Sequence, residues 1–331
     1  MLSWNAKAFA RWWSTPSTSN KVPGRKTDVS DAEWLAMLAR SGLLRGSFVP
    51  PEAIRNLRSI SRYHQRATAM LAAEKNRLVR VLAEGGIRIT TVVSDPHGVA
   101  ATAMIDCLLN GGTPEQALEL AGRLKAPRDE LLAALEGELS EEQRLVAQIM
   151  RAHIQFLQGQ RADLENRLLA GVQPYEAALD LLMTIPGIDR LAAARLLVEI
   201  GDDMNVFGSA DCLAKWCGVC PGNDESAGKR RSGKTTKANR YVRALLCEIA
   251  WAAARTTSQF KGRFHDLVTR RGTKRAVVAI AHRVVKIMFV LLSRRVPYRD
   301  PTVDYQALAV KKRAPRWIQQ LRKYGLLPTT A

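Results

Sequence analysis

Acidic residues are scarce in this chain of 331 residues: 31 Asp and Glu stand against 50 Lys and Arg, giving a formal net charge of +19 and a pI near 10.2. Such an excess repels itself unless a polyanion neutralises it, which points to nucleic acid as partner. Long apolar runs are missing as well. No stretch of eighteen apolar residues occurs, and the best run, Ile280 to Leu292, is broken by His282, Arg283 and Lys286, so neither a membrane span nor a membrane partner is expected. The opening MLSWNAKAFARWW has no continuous apolar centre and no small-residue cleavage site, and it reads as no export signal. The five cysteines, Cys107, Cys212, Cys217, Cys220 and Cys247, are too few and too uneven for a disulfide framework, which favours a reducing compartment and a cytoplasmic location. Cys217 and Cys220 make a C-x-x-C with Cys212 as a third possible ligand, but no fourth ligand stands at ordinary spacing, so packing of a turn is the favoured reading. Internal repeats and low-complexity tracts are absent.

What remains is a mainly α pattern, long enough for two or three domains. Asp28 or Ser30 suits an N-cap for the helix predicted over AEWLAMLARSGLL, and Gly42 suits its stop. From Pro51 to Glu84 a long helix is predicted, with Ile54, Leu57, Ser61, His64, Thr68, Leu71, Lys75, Leu78 and Leu82 on one seam. Its polar side carries Arg55, Arg58, Arg62 and Arg66 at spacings of three or four, a stripe suited to a nucleic-acid backbone. Short helices follow over 87–136. A second long helix, Ser140 to Ala170, has a seam of Leu145, Ile149, Ala152, Phe156, Gly159 and Asp163, with Val146, His153, Leu157, Leu164 and Leu168 alongside. The two long helices could pair as an antiparallel coiled coil or pack as an ordinary bundle. His64, His97 and His153 read as structural. Around Ile185-Pro186-Gly187-Ile188, two amphipathic helices resemble a helix-hairpin-helix, whose glycine turn at Gly187 can bring backbone N–H groups to a phosphate; a plain αα-hairpin fits equally. A helix over Ala244 to Arg255 and a buried one over Val277 to Leu292 complete the C-terminal region.

The stretch most suggestive of chemistry is CGVCPGNDESAGKRRSGKTTKANRYVR, from Cys217 to Arg243. It sets Ser226 just before Lys229, Arg230, Arg231, Lys234, Lys237, Arg240 and Arg243, with no acid from Lys229 onward. Gly228 to Thr235 fits the P-loop pattern, but no buried strand precedes it and no hydrophobic helix opens at its lysine, so nucleotide hydrolysis is rejected. The nearest downstream histidine, His265, lies too far along for a triad hydrolase, and the cationic neighbours suit charge developing on a phosphoryl group. Asp28 and Asp31 stand three apart at a turn-to-helix boundary, where they could share a divalent metal or simply complement the helix dipole.

Taken in order, KTDVSDA at 26–32, the arginine-striped helix, IPGI at 185–188 and PGNDESAGKRRSGKTTKANRYVRALL resemble the DEDD-type transposases of the insertion-sequence-110 family, relatives of the pilin-gene invertase, over about Pro16 to Arg295. The resemblance implies a remnant of an RNase H-like (RuvC-like) α/β domain at 1–50, with part of 87–136 packing on it. It further implies a helical, coiled-coil region at 51–170, a transposase domain with a helix-hairpin-helix-like element at 171–296, and a basic tail at 297–331. It also implies DNA recombination guided by a structured bridge RNA, in a dimer or tetramer. Asp28 and Asp31 match the last two acids of the DEDD set, which bind Mg²⁺; Ser226 matches the serine that attacks DNA. The 27 residues before Asp28 hold no Asp or Glu, whereas the family's first Asp and its Glu precede this point. The expectation is therefore of an N-terminally truncated form that does not catalyse transposition alone, checked by strand exchange with bridge RNA, both DNA partners and Mg²⁺.

Overall fold

The computed structural model describes residues 28–43, 50–221, 224–226, 229–232, 235, 238–301 and 305–326. It divides into two compact units, one of residues 1–58 with 172–331 and one of residues 59–171. Helix α1, Asp28–Arg40, opens the described chain. Ser30 lies inside it, so it is not the N-cap. Gly42 does stop it: with φ at +68° it lets its own N–H reach Ala39 O and that of Leu43 reach Leu38 O, the paired bonds that close a helix through a left-handed residue. Helix α2, Glu52–Glu84, contributes its first residues to the first unit and the rest to the second.

The 59–171 unit holds the remainder of α2, then α3 (Val99–Leu109), α4 (Pro114–Glu119), α5 (Arg128–Leu135) and α6 (Glu141–Gly171). Capping boxes start two of them: Thr113 and Gln116 bond reciprocally ahead of α4, and Ser140 and Gln143 do so ahead of α6. The long helices run antiparallel. His64 Nε2 lies 3.8 Å from Glu165 and His153 Nδ1 lies 3.3 Å from Glu74, so partner numbers on α6 fall as those on α2 rise. Leu71, Leu78 and Leu82 of α2 share one core with Met104 and Ile105 of α3 and with Ile154 and Leu157 of α6. Much of the 87–136 segment therefore belongs to this core.

Two seams shift from their expected positions. On α2, Ala67 and Glu74 are buried where Thr68 and Lys75 were expected, and the Thr68 hydroxyl instead bonds His64 O at 2.9 Å. On α6 the inward residues are Ala147, Ile154, Leu157 and Leu168, whereas Leu145, Ile149 and Phe156 are about three-fifths exposed, at 58%, 61% and 60%.

The other unit continues with α7 (Glu176–Met183), α8 (Arg190–Ile200) and α9 (Ala210–Trp216). After them come the short strands β1 (Asp224–Ser226) and β2 (Lys229–Ser232), then α10 (Arg240–Ala253), α11 (Gln259–Arg271), α12 (Thr273–Arg294) and α13 (Tyr305–Lys323). Helix α12 is the central element, packed against α7, α9, α10 and α11. It is long and apolar enough to cross a membrane, but Val277, Ile280, Ala281, Val284, Val285, Met288, Leu291 and Leu292 bury its apolar face in protein. Among the described residues the only sheet is the β1–β2 hairpin, and nothing of an RNase H-type sheet is seen.

Candidate functional site

The basic segment leaves and rejoins the helical unit at one place. Cys217 caps α9, Gly218 with φ of +71° turns the chain, and Val219 N bonds back to Ala214 O. At the far end Asn239 N donates to Trp216 O at 3.4 Å, which brings the two ends of the loop together. Between them Pro221 bridges Thr235, and the hairpin pairs Asp224 with Ser232, Glu225 with Arg230 and Ser226 with Lys229, with a bulge after Asp224. Ser226 thus closes the ladder next to the turn. Lys234 and Lys237 lie outside the described residues. Strand β2 occupies the middle of the P-loop-like stretch and the next helix opens only at Arg240, so that pattern match has no P-loop behind it.

Beneath the loop lies a buried polar clamp that the sequence reading missed. The Asn239 side chain accepts from Tyr241 N and Val242 N, capping α10, and its amide donates to Glu199 Oε2 at 2.7 Å. Glu199 is only 2% exposed. Arg58 meets it from α2: its Nε stands 3.3 Å from Glu199 Oε2 and donates to Val198 O at 3.1 Å, while Nη2 donates to Glu199 O at 2.6 Å. Those two carbonyls belong to the last turn of α8, which has no further helical N–H to offer them, so one guanidinium answers both a buried carboxylate and a helix end. The signal was present in the sequence. Arg58 falls four after Ile54 and three before Ser61, on the buried seam, and Glu199 is a lone acid between Val198 and Ile200.

Of the predicted arginine stripe, Arg58 is therefore turned into the protein, with its side chain 14% exposed. Arg55 and Arg66 are exposed and Arg62 is half-buried. Arg240, the first residue of α10, is exposed and sits over the Tyr241 ring at 4.9 Å. Gly187 has φ at +89° in the Ile185–Ile188 turn, and a Cβ there would lie 2.5 Å from Ala253 N and 3.0 Å from Ile249 O. Close approach to the end of α10 accounts for this glycine without a phosphate. Asp28 and Asp31 fall in the first turn of α1, three apart. Among the described residues no three His, Cys, Asp or Glu side chains gather as a metal group. Cys217 is fully buried, and burial pushes its thiol far up; burial raises Cys220 and Cys247 as well, so these residues serve as packing.

Known proteins resemble this chain in sequence. Residues 179–265, from within α7 through α8, the hairpin and α10, match the family model described as transposase of the IS116/IS110/IS902 family. Residues 8–86, which include Asp28, Asp31 and all of α2, match a second transposase model, that of the DEDD type of IS110. A probable family 20 transposase of Pseudomonas aeruginosa is 28% identical over 286 residues, 84% of this chain and 75% of the relative. A putative transposase of Sinorhizobium fredii, y4pF/y4sB, is 27% identical over 83% of this chain and 64% of its own length. The transposase of insertion element IS1111A from Coxiella burnetii is 29% identical over 41% of the chain and 38% of its own. With two models of one group matching separate segments in order, the chain belongs to the IS110 family of insertion-sequence transposases.

Proposed function

We propose that this transposase recombines DNA through Ser226 as nucleophile, with Mg²⁺ at Asp28 and Asp31 and a structured bridge RNA selecting the strands, in a homo-oligomer. The observation that carries the serine is the hairpin register: Ser226 is paired with Lys229 at the turn-proximal end of a ladder whose second strand reads Lys-Arg-Arg-Ser. Lysine and arginine on the strand paired with the serine's own would lower the cost of bringing a phosphodiester to a hydroxyl and stabilise the charge that builds on phosphorus oxygens. In the step proposed, Ser226 Oγ forms a bond to phosphorus as the bond to one sugar oxygen breaks. The serine proton goes to solvent, and the sugar oxygen leaves as a hydroxyl. A hydroxyl of the partner strand then reverses the step, which restores the serine and rejoins the DNA without an external energy source.

Asp28 and Asp31 suit Mg²⁺ as a pair, since this ion commonly takes one or two carboxylates and completes its shell with water and phosphate oxygens. When bound, it would supply charge neutralisation at the phosphate. The net charge of +19 supports polyanion binding, RNA included.

The test is Ser226→Ala, with labelled DNA, bridge RNA and Mg²⁺. The unsubstituted protein is expected to leave a denaturation-resistant protein–DNA adduct, and the variant to bind DNA without forming one. Binding without an adduct in either protein would favour a non-catalytic basic nucleic-acid-binding protein instead.

A further inference from the structure

Helix α13 lies beyond both family-matched segments, and from Tyr305 to Ala331 the sequence has six Lys and Arg and no acid. The helix is moored on one side. It packs on α11, where Arg313 bonds the Asp266 carboxylate and donates to Asp266 O at 3.2 Å. Lys311, Arg316 and Lys323 remain exposed. Two cation–aromatic pairs, Arg316-Trp317 and Lys323-Tyr324, repeat at a spacing of seven, which keeps them on one side of the helix and sets them ~10 Å apart along its axis. Trp317 is 43% exposed and Tyr324 72%, and Tyr324 N still bonds Gln320 O at 3.1 Å, which holds the second pair in helical register.

From this arrangement we infer that α13 is a binding surface for unpaired nucleic acid. Bases stack on Trp317 and Tyr324, and the flanking phosphates meet Arg316, Lys323 and Lys311. A bare run of cations would suit a duplex as well. Large aromatic faces left in solvent beside the cations select a strand whose bases are free to stack, because stacking demands an open base face that a paired duplex hides. Ile318 and Leu321 are also exposed, at 40% and 39%, so a lipid surface is the competing occupant, and vesicles are included in the test to separate the two. This inference stands whether or not Ser226 is a nucleophile.

The test uses the full chain, a short labelled unpaired oligonucleotide, a blunt duplex of the same length, and vesicles containing anionic lipid, each titrated over a range of salt. For the triple variant Lys311→Ala, Arg316→Ala, Lys323→Ala, the logarithmic salt slope for the unpaired strand should fall by about two, since each single-strand phosphate contact contributes about 0.7. Tyr324→Ala should weaken the same strand about fivefold or more with the slope unchanged, as a lost stacking contact does. Both variants should keep the circular dichroism of the parent. An unchanged slope in the triple variant, equal weakening of duplex and unpaired strand, or loss of vesicle binding alone would each overturn the inference.

Discussion

Glu199 is the residue on which the hairpin's footing rests. A carboxylate this buried would be costly if left without partners, yet it receives the Asn239 amide on one side and the Arg58 guanidinium on the other. Truncating Arg58 to Ala removes the charge partner and uncovers the Val198 and Glu199 carbonyls together, so unfolding in urea should show a loss of about 3–5 kcal/mol, with Arg58→Lys recovering only part because a single ammonium cannot match that fork. A loss below 1 kcal/mol would mean that the pair is solvated. Gly187 offers a second measurement. An Ala there meets both a left-handed backbone and the Ala253 amide, so Gly187→Ala should cost roughly 1–3 kcal/mol from backbone strain alone, seen as a lower Tm with duplex binding retained by the folded fraction. Retained stability with lost binding would return Gly187 to a phosphate-contacting role. Both residues were visible in the sequence without their surroundings: Arg58 read as one member of a nucleic-acid stripe, and Gly187 as either a phosphate turn or a plain αα-hairpin, because periodicity tells which residues share a side and not what lies opposite them.

At the scale of elements, α12 was legible because one broad apolar face leaves it a single way to be buried, and Val277 to Leu292 is buried as expected. Helix α6 was not. It carries two interleaved apolar stripes, and the choice between them is made by α2 and α3, which supply Leu71, Leu78, Met104 and Ile105 to the Ile154 and Leu157 side. Polar pairs then tie α6 to α2 in a pH-dependent way. Burial by itself would raise the Glu74 carboxyl, but hydrogen bonds from Arg77 and His153 outweigh it and hold the group below its ordinary value of 4.5. A depressed carboxylate stabilises the fold above its unfolded pKa, and that contribution is lost as pH falls through the folded one. The unfolding midpoint should therefore be insensitive to this group above about pH 5.5 and drop in more acid solution, with Glu74→Gln showing a smaller acid-induced drop from a lower neutral starting point. Parallel pH curves for the two proteins would exclude Glu74 as the cause.

For the whole molecule, the excess charge is not shared between the two units. Residues 59–171 hold 13 Lys and Arg against 14 Asp and Glu, which leaves 37 against 17 for the rest of the chain. The unit with α2's later turns and α6 is near neutral, and the positive field belongs to the unit that carries the hairpin, α10 and α13. Nucleic-acid affinity should follow that division. Each phosphate neutralised on a duplex contributes about 0.9 to the logarithmic salt slope, so removing three real contacts lowers the slope by nearly three. The variant Lys229→Ala, Arg230→Ala, Arg231→Ala should show such a fall in duplex titrations. The pair Arg62→Ala, Arg66→Ala should change the slope by less than about 0.5, because the unit that carries them is near neutral overall and draws few phosphates. A fall approaching two in the second variant would restore the long helix as a backbone-binding stripe and remove the division of labour argued from charge.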